Sequence, residues 1–278
     1  MFKITKFPVV TLSFLLATLI ALPLKAQTFP EAYREYKAKN YVQAAGMLES
    51  LAQAGDASAQ GLLGLMYLKG LGVTRDLSKA RALTLQSAEQ GNKVSIQNLA
   101  AMFLQGKGGP KNYRVSFELA QKCEARPKCK DILAVLYTKG WGVPKDLKKA
   151  LEYTVAVAES TEAPESFRGR ALFRLSKYYR KGLAGVTKDL EQAFDLLERA
   201  KSKGHRMAVA QIGQSYEDGI GTERNKQKAL ENYNEFIRRS ETYLRRRPND
   251  QNRVEPQIDM ARRKINALCT LDNLTGCP

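Results

Sequence analysis

The chain has 278 residues, and its 45 Lys and Arg outnumber its 28 Asp and Glu, which gives a net charge of +17 at neutral pH. A single histidine and the lack of any C-x-x-C pair argue against an ordinary zinc site. Beyond the N-terminal segment, no stretch is apolar enough to span a membrane. The basic excess indicates anionic partners, or else a surface whose charge serves solubility alone.

The first predicted element is an export signal over residues 1–26. Lys3 and Lys6 precede the uncharged, mostly apolar residues 9–22, and Ala26 offers a small residue at the cleavage point. As a helix, residues 9–22 would rise only about 21 Å, short of the ~30 Å hydrocarbon core, so cleavage is favoured over an uncleaved membrane anchor. We therefore expect a periplasmic protein, with secretion as the alternative. Cleavage removes three lysines and no acidic residue, which lowers the net charge from +17 to +14.

Residues 56–91 contain the pattern that organises the rest of the chain. Two segments with helical spacing of apolar residues flank Gly70 and Gly72, where one helix ends and the chain turns back. This pattern predicts an antiparallel helix pair. The aromatic residue before the first glycine recurs at Tyr67, Phe103, Tyr137, Tyr179 and Tyr216, and the polar residue after the second glycine recurs at Asp76, Asn112, Asp146, Asp189 and Asn225. Because one helix pair cannot bury its apolar face alone, the recurrence predicts a stack of pairs, an all-α solenoid.

Residues 57–80 read A-x-A-x-x-x-L-G-x-x-Y-x-x-G-x-G-V-x-x-D-x-x-K-A. This pattern resembles the Sel-1-like repeat, a relative of the tetratricopeptide repeat. The resemblance extends over residues 29–247 with about five and a half units. It implies a right-handed α/α solenoid that acts as a scaffold or adaptor, with no catalytic motif shared across the family. The predicted organisation is a signal over residues 1–26, a repeat solenoid over 27–247 and a capping helix with a disulfide tail over 248–278.

Two regions depart from the regular repeat. Residues 160–169 are an insertion, which predicts either a longer loop or an extended first helix. The last second helix has no breaker before Pro248 and should run on to that residue. After the turn at Pro248, a closing helix is expected over residues 257–268.

The four cysteines form two local pairs. Cys123 and Cys129 are six residues apart, and Cys269 and Cys277 are eight apart. In the oxidising compartment that an export signal implies, two disulfides are favoured over a metal site. The first bond would connect the end of one repeat to the start of the next, and its small ring would contribute about 2 kcal/mol.

A candidate binding strip follows from the resemblance, because the first helices of tetratricopeptide-like solenoids line the concave surface. Transferring that register places five residues of the fourth repeat on the strip, with two lysines of the third repeat beside them. The seven residues are Lys128, Lys139, Arg170, Phe173, Lys177, Arg180 and Lys181. A cleft lined by one sign of charge attracts an acidic partner, and Phe173 would supply an apolar anchor. The alternative is a solvated helix face without a binding role.

The sequence leaves three functions open. The first is a periplasmic scaffold that supports assembly or regulation of an envelope or secretion machine. The second is a cell-wall-directed protein related to penicillin-binding proteins or β-lactamases, although no S-x-x-K motif with its partners and no nucleophile with a neighbouring base is present. The third is a secreted effector that binds a host protein.

The expected partner is an envelope protein with an acidic segment. Anionic cell-wall material is the alternative ligand, and export argues against nucleic acid as a natural target. No cofactor and no enzymatic activity are predicted. Membrane contact is expected only through the signal segment before it is removed.

Overall fold

The protein is described by a computed structural model of residues 28–271 and 274–277, so the predicted signal over residues 1–26 lies outside the described residues. The described residues form thirteen α-helices, one 3-10 helix and no strand. The helices are α1 Phe29–Lys37, α2 Tyr41–Gln53, α3 Ala57–Lys69, α4 Leu77–Glu89, α5 Lys93–Gln105, α6 Tyr113–Lys122, α7 Pro127–Lys139, α8 Leu147–Glu159, α9 Glu165–Lys181, α10 Leu190–Ser202, α11 Arg206–Asp218, α12 Lys226–Arg246 and α13 Gln251–Leu271. A single 3-10 turn, Pro248–Asp250, joins the last two.

The helices pack in consecutive pairs, and each pair packs on the next one along the chain. This arrangement confirms the predicted all-α solenoid. The first helices α5, α7 and α9 also contact one another directly, whereas successive second helices make no contact of the same extent among the described elements. In this central part of the stack the first helices are therefore closer together than the second helices, and we call their side the inner face.

The insertion takes the predicted form of an extended first helix, whereas the closing helix starts earlier than predicted. Half of the insertion, residues 165–169, joins the first helix of its repeat, and α9 has 17 residues where the other first helices from α3 to α11 have 13. The closing helix α13 begins at Gln251, six residues before the predicted start, and holds Pro256 inside it. Val254 and Ile258 in this first part are fully buried. The free energy gained by burying these two side chains exceeds the cost of the backbone hydrogen bond that proline removes from a helix.

The turns of the five pairs from α3–α4 to α11–α12 share one recurring geometry. The first glycine adopts the left-handed conformation that ends a helix, as in Gly140 with a φ of 69°. The Asp or Asn that follows then caps the second helix, as Asp146 does by accepting a hydrogen bond from the Lys149 amide at 3.0 Å. The amide of Asp146 also donates to the carbonyl of Tyr137 at 3.1 Å, which ties the two helices of the pair together. The predicted repeat residues therefore define the turn itself.

The second glycine of the turn fixes how neighbouring pairs stack. Gly142 lies directly on the backbone at the start of α6, and a Cβ atom there would come within 2.5 Å of the Tyr113 carbonyl carbon. The same contact joins three other second glycines to the first residue of the preceding second helix, namely Gly72 to Tyr41, Gly108 to Leu77 and Gly221 to Leu190. Gly185 is the exception, because its turn has one more residue and nothing would lie within 4 Å of its Cβ atom.

Both predicted cysteine pairs are joined in the structure. Cys123 and Cys129 connect the end of α6 to α7, and Cys269 and Cys277 fold the C-terminal tail back onto α13. The described cysteines leave no free thiol. The tail is also fixed to α12, since the Gln227 amide donates to the Thr275 carbonyl at 3.0 Å.

Replacing Gly142 with alanine should destabilise the protein by about 3 kcal/mol. About 1 kcal/mol comes from the positive φ, and the remainder comes from forcing two pairs of helices apart. Gly185→Ala is the matched control, because its φ of 89° carries the strain without the close contact, and it should cost only about 1 kcal/mol. Urea unfolding of both variants measures the difference, and equal losses would show that the contact does not fix the stacking.

Replacing Cys123 and Cys129 together with serine should lower the free energy of unfolding by about 2 kcal/mol through the greater freedom of the unfolded chain. Urea unfolding of the oxidised protein measures this change. Peptide mapping without reduction should first find Cys123 linked to Cys129 and Cys269 linked to Cys277. Recovery of four alkylated free cysteines from exported protein would contradict both bonds.

Candidate functional site

The inner face carries a cleft lined by five cations between α7 and α9. We call it the basic cleft. It has a volume of about 470 Å³ and is lined by Val135, Thr138, Lys139, Leu147, Arg174, Lys177, Tyr178, Arg180, Lys181 and Leu183. Four residues of the predicted strip, Lys139, Lys177, Arg180 and Lys181, meet there. Arg174 joins them although the transferred register did not include it.

The cations of the basic cleft are close enough to affect one another. The pKa of Lys177 is lowered, first by partial burial and then by the charges of Arg180, Arg174, Lys139 and Lys181. Within the described part of the chain, no carboxylate forms an ion pair with Lys139, Lys177, Arg180 or Lys181. The cleft therefore holds a positive potential that an anionic ligand would relieve.

Two buried polar groups at the basic cleft also have no partner. Tyr178 is only 2% exposed, and its hydroxyl makes no hydrogen bond. One terminal nitrogen of the Arg174 guanidinium, Nη1, is likewise buried without an acceptor. Buried donors of this kind are costly unless they are satisfied, and a ligand oxygen would satisfy them.

Arg170 already forms an ion pair within the protein. Asp131 of α7 is buried and accepts hydrogen bonds from Arg170 at 2.9 Å and from Arg174 at 3.1 Å. This pairing joins the first helices of two adjacent repeats. Arg170 therefore differs from Lys139, Lys177, Arg180 and Lys181, and a charge reversal at this position would break a structural contact.

Lys128 lies apart from the basic cleft. Its ammonium donates to the Asn98 side chain at 2.8 Å. Burial lowers the pKa of Lys128 to about 8, with further contributions from Lys107, Arg170 and Arg126. The predicted strip is thus two surfaces, of which the part around Lys139, Lys177, Arg180 and Lys181 is the more available to a partner.

Phe173 lies one helical turn before Lys177 on α9 and lines a second site rather than the basic cleft. Its ring stacks on His205 with centroids 4.4 Å apart, and the Lys177 ammonium lies 4.4 Å from its centroid. We call this second site the apolar pocket. It has a volume of about 220 Å³ and is lined by Phe173, Met207, Ala210, Gln211, Gln214, Tyr233, Phe236, Gln257, Met260, Ala261 and Lys264. Its residues from α13 were not anticipated, because the closing helix follows no repeat pattern.

The pKa of His205 reflects both its burial and the positive charge of this face. Its pKa is lowered to about 4, first by burial and then by the charges of Arg170, Lys177 and Arg206. The Nδ1 atom of His205 is buried and makes no hydrogen bond. The imidazole is therefore neutral at physiological pH and acts as a flat surface for Phe173.

Residues 28–271 and 274–277 contain neither a metal-binding cluster nor a membrane-spanning helix. No group of three or more His, Cys, Asp and Glu side chains comes together there in a way that could hold a metal ion. None of the helices in those ranges has the length and apolar character needed to cross a bilayer.

Comparison with known proteins identifies the repeats. Five segments match the Sel1 repeat, residues 57–92, 94–122, 132–154, 169–205 and 206–239. The chain belongs to the Sel1 repeat family. The first match begins at α3 and the last ends within α12, so these Sel1 repeats include both the basic cleft and most of the apolar pocket.

Solved structures and curated proteins show the same relationship. A Sel1 repeat protein from Oxalobacter formigenes is 28% identical with a TM-score of 0.61, over 76% of this chain and 85% of that chain. Cytochrome c oxidase assembly factor 7A of Xenopus laevis is 28% identical over 71% of each chain. An ERAD-associated E3 ubiquitin-protein ligase component of Arabidopsis thaliana is 31% identical over 64% of this chain. The chain spans less than a third of the length of two of the curated relatives it matches.

The stability of the protein should fall more steeply with acid than the stability of a His205→Phe variant. Because His205 takes up a proton near pH 6.5 when unfolded but only near pH 4 when folded, its contribution is complete above about pH 6.5 and is lost as the pH falls towards 4. The difference in free energy of unfolding between the protein and the His205→Phe variant should change by about 2 kcal/mol over this pH range. Urea unfolding at several pH values measures it, and parallel profiles would contradict a depressed pKa at His205.

Proposed function

We propose that this protein is a non-enzymatic scaffold or adaptor of the bacterial periplasm, which binds an acidic segment of an envelope protein in the basic cleft. Its role would be that of an accessory factor in the assembly or regulation of an envelope or secretion machine. The observation that carries the proposal is the meeting of Lys139, Arg174, Lys177, Arg180 and Lys181 around one cleft on the inner face. An extended inner face is the surface that helical solenoids use for binding.

The names of the relatives agree with an adaptor role. One is an assembly factor for another complex, and a second is a component of a ubiquitin ligase. These roles belong to those proteins, and they support a common property, which is contact with other proteins through stacked helix pairs. The proposed partner here follows from the charge of this chain's own cleft, because like charges in one cleft favour a ligand of the opposite sign.

Two observations support an exported location. The described residues hold two disulfides, and structural disulfides persist in oxidising compartments such as the periplasm. Residues 1–26 have the charge and apolar pattern of a secretory signal. Cell fractionation with a C-terminal tag tests the location, and a cytoplasmic protein with reduced cysteines would overturn it.

A triple charge reversal of Lys177, Arg180 and Lys181 to glutamate should abolish capture of the envelope partner. These positions line the cleft and form no ion pair with the described carboxylates, so the variant should remain folded. Binding should weaken about tenfold or more, because each 1.4 kcal/mol of lost interaction is a factor of ten. The measurement is a pull-down from nuclease-treated envelope extract at moderate salt.

The matched control reverses three exposed lysines away from the cleft, Lys122, Lys148 and Lys188. It changes the net charge by the same amount, so it should retain the partner if the site rather than the total charge matters. Equal loss in both variants would show a non-specific charge effect. Full retention by the cleft variant would place the partner elsewhere, and capture of cell-wall glycan alone would replace a protein partner with cell-wall material.

A further inference from the structure

We propose that the ligand is an extended acidic peptide carrying one apolar side chain, which enters the apolar pocket while the flanking carboxylates occupy the basic cleft. This inference rests on the proposed function and adds a second contact to it. It predicts a partner recognised by sequence and not only by charge.

The basic cleft and the apolar pocket are neighbours on α9. Phe173 lines the pocket and Lys177, one helical turn later, lines the cleft. The Lys177 ammonium lies 4.4 Å from the centroid of the Phe173 ring, so a lining residue of one site is in contact with a lining residue of the other. From Phe173 to Lys181 the helix rises about 12 Å. About four residues of extended peptide span that length, which places the acidic residues within about four positions of the apolar one.

The apolar pocket has the size and lining of a site for one side chain. Its volume of about 220 Å³ is below the roughly 300–1,000 Å³ of sites for whole drug-sized ligands. Met207, Ala210 and Phe236 provide apolar walls, and Met260 at the edge is 58% exposed. Methionine adapts its shape to different apolar partners. An exposed methionine beside an apolar cavity is therefore suited to close over an inserted side chain.

The charges differ between the two sites. The pocket contains one cation, Lys264, and its ammonium is paired with Glu217 at 2.9 Å. The other oxygen of Glu217 accepts a hydrogen bond from Tyr233 at 2.6 Å. The pocket is thus neutral overall, whereas the cleft has five cations whose only described carboxylate partner is Asp131, bound to Arg174. A ligand that matches both sites has a neutral apolar group next to a negative one.

The unsatisfied hydroxyl of Tyr178 is an independent indication of a ligand in the cleft. It is buried and has no hydrogen-bond partner, and Tyr178 lines the cleft together with Lys177, Arg180 and Lys181. A carboxylate oxygen would accept from it and at the same time meet the surrounding cations.

A peptide fits this surface better than a nucleic acid strand. Single-stranded nucleic acid is bound by stacking its bases on exposed aromatic rings. The ring of Phe173 is already in contact with His205 and Lys177. What remains open beside it is a cavity for a side chain, which a peptide provides and a stacked base does not use.

The experiment measures fluorescence anisotropy of labelled peptides with the oxidised protein purified from the periplasm. The first peptide contains one leucine followed by four glutamates, the second has alanine in place of leucine, and the third has lysines in place of the glutamates. We expect the leucine peptide to bind at least fivefold more tightly than the alanine peptide, and the lysine peptide not to bind.

Two kinds of protein variant locate the contacts. Ala210→Phe fills the pocket, and Met260→Ser, at an exposed position, weakens the pocket if the first variant does not fold. Either one should reduce the preference for leucine over alanine to less than twofold while leaving the alanine peptide unchanged. Arg180→Glu combined with Lys181→Glu should weaken both acidic peptides at least tenfold.

The possible results separate this inference from the proposed function. Equal binding of the leucine and alanine peptides, both lost on Arg180→Glu with Lys181→Glu, would overturn the apolar contact and leave the acidic-partner proposal intact. If the acidic peptides bind equally well to this double variant, or not at all to the unaltered protein, both proposals fail. Displacement of the leucine peptide by an oligonucleotide of equal charge at equal concentration would overturn the choice of a peptide.

Discussion

The stacking of this solenoid depends on close backbone contact at the second glycine of four of the repeat turns. Gly142 rests on the first residue of the preceding second helix, and three equivalent glycines make the same contact. No other residue type permits this approach, because any Cβ atom would overlap the neighbouring carbonyl group. The contact fixes each turn against the previous pair, so the angle between successive pairs is set by the turns as well as by the core. The face on which α7 and α9 meet is a consequence of that repeated angle.

The one turn without this contact lies beside the candidate site. In the fourth repeat the turn has an extra residue, Ala184 adopts a φ of 62°, and Gly185 has no neighbour within 4 Å of its Cβ position. The same turn contributes Leu183 to the basic cleft, and α9 before it is longer than the other first helices. The least regular repeat therefore supplies the largest share of the cleft. In repeat proteins, departures from the common unit are where binding surfaces usually differ between members.

The inner face concentrates positive charge, and the protein responds to it in two ways. Where the charges are structural, they are paired, as Arg170 and Arg174 are with Asp131. The other four cleft cations, Lys139, Lys177, Arg180 and Lys181, remain without an ion-pair partner among the described residues. The pKa of Lys177 is lowered, first by burial and then by its neighbouring charges. Unpaired cations held close together destabilise the folded state. That cost is consistent with a surface kept for a ligand and not for stability.

The sequence by itself determined the repeat, its turn and its approximate ends. The glycines at 70 and 72, the capping residue Asp76 and their copies act locally, through backbone conformation and hydrogen bonds within a few residues, so their spacing was sufficient. The cysteine pairs are similarly local. Only the tertiary structure decided which cations are free to contact a ligand. Arg170 is not, because it pairs with Asp131, which lies 39 residues earlier in the chain. The apolar pocket also depends on the tertiary structure, since α13 packs against α12 through contacts that follow no repeat period.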